Sequence, residues 1–316
     1  MLSAQCFVLS AQCFVLGALL LAPAPALAQA ARPPVRHDVV VDGHHLAVWE
    51  KKPAQSRAVI VLLHGRTWSS LPNFDLQVQG ERRSFMDALA EAGLDVFAVD
   101  LRGYGATERD DSGWVTPDRA IADVHAVLAW IRQRPAQARL PVYLFGLSRG
   151  AMVAAMVAQQ RPEALAGVVL LGFGFDPDAQ IPVSDPPGGR GGRPAMARNV
   201  ADAAAADFVT KDAFTPATVT AFVRAALKAD PVRADWRDEH QFNAFRPAQM
   251  QAPVLLVHGD RDPEAPMAVE AKLFTRFGTP DKAWVVLPGA DHAAHLEKSQ
   301  VQLVRTIVWF IRRHEV

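Results

Sequence analysis

Val142-Tyr143-Leu144-Phe145-Gly146-Leu147-Ser148-Arg149-Gly150 passes from apolar, strand-forming residues into a serine flanked by glycines, and Ala151 to Gln160 continues it with a helical pattern. In a strand–turn–helix of this kind the serine stands at the tip of a sharp bend. The residues two before and two after it lie against neighbouring backbone, where a Cβ would clash. Gly-x-Ser-x-Gly in this setting reads as a nucleophile elbow. The competing reading is a glycine-rich helix start with a bystander serine.

Strands and helices alternate on either side of it. Ala58 to Leu63 (AVIVLL) is a continuous apolar run ending at His64-Gly65, the pattern of a parallel strand covered on both faces. Asp95–Val99, Val168–Leu171, Val254–Val257 and Trp284–Leu287 also read as strands. Helical patterns cover Ser84–Ala92, Ala268–Phe277 and about Val301–Arg312. Another begins at Thr116-Pro117-Asp118, an N-cap followed by proline at the first helical position, and sets Ile121, Val124, Val127, Leu128 and Ile131 on one face. Asp38–Val41 and Leu46–Trp49, joined by Asp42-Gly43, read as a hairpin, and Arg66 to Gly80 as irregular. This alternation predicts an α/β fold with a mostly parallel sheet, helix-covered on both sides. It fails once. From about Asp176 to Met250 no convincing strand occurs; a Pro/Gly-rich linker (Ile181 to Pro194) leads into helical patterns around Ala201–Val209 and Thr215–Ala229. That segment reads as a helical lid.

Half of the 316 residues are hydrophobic and 21% are charged, which excludes disordered, collagen-like and coiled-coil chains. Lys plus Arg total 33 and Asp plus Glu total 33, so net charge supplies no reason to expect nucleic acid or an anionic membrane as partner. Cys13 to Ala22 is an unbroken apolar run followed by Ala26-Leu27-Ala28. It is short for a membrane span and reads as a signal peptide, residues 1–28, cut after Ala28. Two features run against this: the first charge is Arg32, and Ser-Ala-Gln-Cys-Phe-Val-Leu occurs twice in succession. An uncleaved anchor and a mis-assigned start are the alternatives. With cleavage the protein is exported, periplasmic or secreted, without stable membrane association. It also loses Cys6 and Cys13, its only cysteines, which excludes disulfides and a thiol mechanism.

A serine hydroxyl needs a base to take its proton. His292, in the turn Leu287-Pro288-Gly289-Ala290-Asp291-His292, is the preferred base and His295 the alternative. His64 and His258, each before a glycine at a strand end, read as loop braces. The base needs an acid to fix its tautomer. Asp262 in His258-Gly259-Asp260-Arg261-Asp262-Pro263 is preferred, Asp260 reads as binding local backbone, and Asp176 or Asp178 could serve from the previous strand end. Asp100 reads as tying down a turn. No two histidines carry helix-spaced metal-ligand geometry with a carboxylate partner, so neither metal nor cofactor is expected.

His64-Gly65, Asp100-Leu101-Arg102-Gly103-Tyr104-Gly105, Gly146-x-Ser148-x-Gly150, Gly259-x-x-Asp262 with Pro266, and Gly289-x-x-His292 occur in an order that resembles the α/β-hydrolase family. The resemblance covers residues 29–175 and 251–316 and leaves 176–250 as the lid. It implies an α/β-hydrolase fold, a mostly parallel eight-stranded sheet flanked by helices with an inserted helical lid. It also implies a triad of Ser148, Asp262 and His292, and an oxyanion hole built from the backbone N–H of Arg149 and of Arg66, with Thr67 the alternative second donor. The implied activity is serine-dependent hydrolysis of a small-molecule carboxylic ester through an acyl-enzyme. Lactones, thioesters, amides and carbon–carbon bonds beside a ketone are alternative substrates, and a non-catalytic ligand-binding member of the fold is the runner-up from another class.

Two further features bear on specificity. The Arg66 and Arg149 guanidinium groups either recognise a substrate carboxylate or pair with acids. Trp68, Phe74, Trp114, Phe173, Phe175, Trp236, Phe242 and Phe245 are candidates for an apolar pocket, though each taken singly reads as core.

Overall fold

The run Ala58–Leu63 is the third strand of an eight-stranded sheet, buried along its whole length. The computed structural model describes residues 33–184 and 192–315; the expected signal peptide lies outside the described residues. The strands are β1 (Val35–Val41), β2 (His44–Lys51), β3 (Ala58–Leu63), β4 (Leu94–Val99), β5 (Trp114–Val115), β6 (Val142–Leu147), β7 (Gly167–Leu171), β8 (Asp235–Trp236), β9 (Val254–Gly259) and β10 (Lys282–Leu287). The main sheet runs β1-β2-β4-β3-β6-β7-β9-β10, with β5 and β8 paired apart from it. β2 is antiparallel to both β1 and β4, and every other pair in the sheet is parallel. The Asp42-Gly43 turn has positive φ at both residues (51° and 77°), the twist that two-residue hairpins require.

The helices are α1 (Ser70–Phe74), α2 (Phe85–Glu91), α3 (Pro117–Gln133), α4 (Arg149–Gln160), α5 (Ala201–Ala205), α6 (Pro216–Ala229), α7 (Met267–Arg276) and α8 (Gln300–Arg312). Side chains alternate across a strand, and β3 divides accordingly. Val59, Val61 and Leu63 join the core under α3, α4 and α7. Ala58, Ile60 and Leu62 join the core under α1, α2 and α8. Thr116 caps α3 through the Arg119 N–H, with Pro117 at the first helical position. Among the described residues no helix is long and apolar enough to cross a membrane.

Two local expectations are corrected. The stretch from Arg66 to Gly80 contains the short helix α1. The segment between β7 and β9 holds one two-residue strand, β8, which pairs in parallel with β5; a pair this short leaves no period-2 pattern to read. The segment's main helix, α6, buries Phe222 and Ala226 in a third apolar cluster with Trp68, Leu76, Phe208, Ala293 and Leu296.

Candidate active site

Ser148 follows β6 directly and caps α4 with φ 54° and ψ −116°. A non-glycine residue in this region is strained by about 1–3 kcal/mol, so the surroundings must hold it. The Ser148 N–H donates to Leu171 O on β7 (2.9 Å), and its carbonyl accepts from Ala151 and Met152 in the first turn of α4. The flanking glycines do what the sequence reading requires. A Cβ at Gly146 would stand 2.4 Å from Gly150 O, and one at Gly150 would stand 2.4 Å from His64 O and Leu63 O.

The residues expected as base and acid, His292 and Asp262, follow the ends of β10 and β9. His292 Nδ1 lies 2.8 Å from Asp262 Oδ2. Asp262 Oδ1 accepts the N–H groups of Glu264 (2.8 Å) and Ala265 (3.3 Å), so both oxygens are fixed. A carboxylate can only accept, so Nδ1 carries the proton and the lone pair sits on Nε2. Burial pulls the His292 imidazole down, but the hydrogen bond and charge of Asp262 outweigh it and leave the ring above its ordinary value of 6.5. Gly172 (φ 59°) makes the pair possible: a Cβ there would meet His292 Nδ1 at 2.9 Å and Asp262 Oδ2 at 3.1 Å.

Ser148 and His292 share the wall of a cavity of about 410 Å³, with Gly65, Arg66, Trp68 and Arg149 beside them, within the size range of small-molecule sites. It opens at the carboxyl ends of the strands, where parallel sheets place their ligand sites. Another depression, about 530 Å³, lies against α3 and the end of α4. Its walls carry no serine, threonine or cysteine.

The loop after β3 is braced from beneath. Buried His64 accepts the Leu101 N–H at Nε2 (3.2 Å), so Nδ1 carries the proton and donates to Gly65 O (2.8 Å). Burial also lowers the His64 pKa. In a trans peptide C=O and N–H point opposite ways, so anchoring the Gly65 carbonyl turns the Arg66 N–H away from His64. The Arg149 N–H, in the first turn of α4, has no intrahelical acceptor. Tyr104 OH donates to Arg66 O and accepts from Trp236 Nε1.

Arg66 and Arg149 each take one oxygen of Glu239, at 3.0 and 2.6 Å, so both pair with an acid; Arg149 also lies over the Trp236 and Phe242 rings. Asp176 and Asp178 are bound to Lys272, and Asp178 also to Arg276. Asp260 accepts the Gly289 N–H. Asp100 gathers Trp49 Nε1 and the N–H groups of Ser70 and Ala106. His258 accepts from Trp284 Nε1. His295 sits in a turn rather than a helix start; its Nε2 meets Asn73 Oδ1, and burial lowers it to about 3.

Of the eight aromatic candidates only Trp68 lines the cavity. Phe74 packs on Phe85 and Phe145, Phe173 and Phe175 on Phe245, and Trp236 on Phe242. Trp114 is buried beside Arg237. Among the cavity residues that sequence reading missed, Asp207, Phe222 and Leu296 face it from the α5–α6 segment and from the turn after His292. Burial raises the Asp207 carboxyl to about 6.

Glu270 on α7 is wholly buried, with both carboxyl oxygens unpartnered among the described residues. Burial, and then the charge of Asp262, push it from 4.5 up to about 9. Between those values the folded chain keeps a proton that the unfolded chain has lost, so this group makes stability fall as pH rises through the window. Glu270→Gln removes that dependence. The variant is expected to gain melting temperature over the parent progressively from about pH 5 to pH 9, read by calorimetry; a constant difference across the window refutes the assignment.

Comparison with known proteins gives a consistent picture. A family model described as "Serine aminopeptidase, S33" matches residues 54–299. No curated protein sequence matches the chain. A solved serine hydrolase involved in carbazole degradation is 18% identical, with a TM-score of 0.62 over 89% of this chain and 99% of its own. The thioesterase domain from a curacin biosynthetic pathway is 16% identical, with a TM-score of 0.62 over 89% of this chain and all (100%) of its own. A monoacylglycerol lipase from Paleococcus ferrophilus is 19% identical, with a TM-score of 0.58 over 85% of this chain and 99% of its own. Likeness at this identity shows the fold.

Proposed function

Because the chain belongs to the serine aminopeptidase S33 family of α/β hydrolases, we propose that it hydrolyses a carboxylic ester with Ser148 as nucleophile, His292 as base and Asp262 as the acid that orients it. The observation carrying this reading is the 2.8 Å contact of His292 Nδ1 with Asp262, which leaves Nε2 as the proton acceptor in the cavity that Ser148 lines.

Ser148 Oγ attacks the ester carbonyl as its proton passes to His292 Nε2. The carbonyl oxygen becomes an oxyanion, stabilised by the N–H of Arg149 and the N–H of Arg66. Such fixed donors favour the transition state over the ground state. Collapse expels the alkoxide, which leaves as the alcohol with the proton from His292, and the acyl group stays on Ser148. Water, deprotonated by His292, then releases the acid and restores the hydroxyl. Asp262 remains ionised throughout and stabilises the imidazolium. The segment between β7 and β9 serves as a lid whose Asp207, Val209 and Phe222 shape the pocket. The chain acts after export, once residues 1–28 have been removed.

A lipase and a thioesterase domain among the similar folds support an acyl ester over a peptide. A fluorophosphonate probe tests the reading, because it phosphonylates only an activated serine. Stoichiometric labelling of Ser148, located by peptide mapping, is expected, together with release of p-nitrophenol from short-chain esters. Well-folded protein that takes up no probe refutes it.

A further inference from the structure

Asp291 precedes His292, and its carboxylate is completely buried. Oδ2 accepts two consecutive backbone N–H groups from the segment between β7 and β9, Val209 (3.1 Å) and Thr210 (2.6 Å). Oδ1 accepts the N–H of Ala293 (2.9 Å), on the far side of the histidine. The Asp291 N–H is held in turn by Glu297, at 3.3 Å to both oxygens. Lys298 adds two ties to the same segment, its N–H to Ala213 O (2.8 Å) and its Nζ to Asp212 O (2.7 Å). Asp207 and Val209 form cavity wall, as do His292 and Ala293. One buried side chain therefore bonds both to the wall that faces the substrate and to the turn that carries the histidine.

We propose that Asp291 is a positioning residue whose carboxylate locks the Asp207–Thr210 wall of the cavity to the His292 turn, so that a single anchor sets both the pocket and the aim of the base. The inference rests on His292 being the base. Its chemistry demands a carboxylate. Three N–H donors converge on two oxygens, and an amide offers one oxygen and an NH₂ group that itself donates. In Asp291→Asn either the wall or the histidine turn must face a donor with no acceptor. Burial tends to protonate Asp291, but Glu297 and the N–H donors outweigh it and hold the group below its ordinary value. Glu297 itself is pushed up to about 9, by burial first and then by Asp291. The anchor is thus one carboxylate beside a neutral acid, and the pair avoids like-charge repulsion.

The test compares the parent, Asp291→Asn, Thr210→Pro (which deletes the shortest of the N–H donors) and the double variant. Each is titrated with the fluorophosphonate so that rates are expressed per active serine. The kcat/KM is measured across pH with a short and a long p-nitrophenyl ester. Asp291→Asn is expected to lose roughly 10- to 100-fold, the cost of a misplacement of about an ångström. The acid limb of its profile is expected to move to lower pH, because His292 held less well by Asp262 is left to the lowering effect of burial. Asp262, Glu264 and Asp207 raise that ring; His292 in turn depresses His295. The ratio of rates on the two esters changes as the wall shifts. Thr210→Pro moves both readouts the same way, and the double variant is no worse than Asp291→Asn alone, as expected for partners in one interaction.

A purely structural residue would lower melting temperature or the titratable fraction and leave the acid limb and the ester ratio of the surviving sites where they were. That result in either single variant overturns the proposal while the hydrolase reading stands. A parent that takes up no probe removes the hydrolase reading, and this inference falls with it.

Discussion

Ser148→Ala is expected to lower ester turnover about 10⁶-fold, the loss typical when the nucleophile of a triad is deleted, with no loss of melting temperature. The residual rate is what the oxyanion donors and substrate binding still provide. Stability is unaffected because alanine inherits the same backbone, φ 54° and ψ −116°, and Ser148 donates no backbone bond that alanine cannot. Ser148→Gly separates the two properties. Glycine adopts this region at no steric cost, so it is expected to be as inactive as the alanine variant yet more stable, by the ~1–3 kcal/mol of strain relieved less about 0.5–1 kcal/mol for the extra freedom of the unfolded glycine. Steady-state kinetics with p-nitrophenyl butanoate and thermal melts of both variants make the check. A glycine variant no more stable than the parent would mean that the strain at the bend does not exceed the entropic cost of glycine, about 1 kcal/mol.

Asp262→Asn is expected to cost about 10⁴-fold in kcat while leaving substrate binding intact, and the geometry says why. Oδ1 is claimed by the N–H groups of Glu264 and Ala265, so the introduced amide must keep its oxygen there and turn its NH₂ toward His292. The ring then accepts at Nδ1 and carries its proton on Nε2, the wrong tautomer for taking a proton from Ser148. The acid limb of the pH profile should also move down. Burial alone lowers His292, and the bond and charge of Asp262 are the largest influences raising it above 6.5. Parallel KM and kcat measurements from about pH 5 to pH 9 decide it; an unchanged kcat would assign the acid elsewhere.

The sheet and the sharp turn at Ser148 were legible in the sequence because each depends on short-range rules. Ala58–Leu63 is apolar on both faces because both faces are covered. Gly146 and Gly150 are glycines because backbone stands 2.4 Å from where their Cβ atoms would be. Asp262 and His292 follow strands directly, so their place at the sheet's carboxyl edge follows from topology. The cavity wall was not legible. Phe222 sits on the apolar face of α6 as Phe173 sits in the core, and periodicity reports that a face is covered without saying by what. Seven of the eight aromatic candidates turned inward for that reason. The sharing of Glu239 by Arg66 and Arg149, and the grip of Asp291 on Val209 and Thr210, join residues far apart in sequence. No local pattern encodes them.

The pairing of β7 with β9 has a practical consequence. Between these two strands the polypeptide leaves the sheet for its longest excursion, so on the proposed reading everything through β7 carries Ser148 without Asp262 and His292. The same seam offers a cut site. Two separately expressed pieces, one ending after β7 and the other starting before β9, would each be silent, and their reunion would switch on a colour reaction, a reporter for whatever brings the halves together.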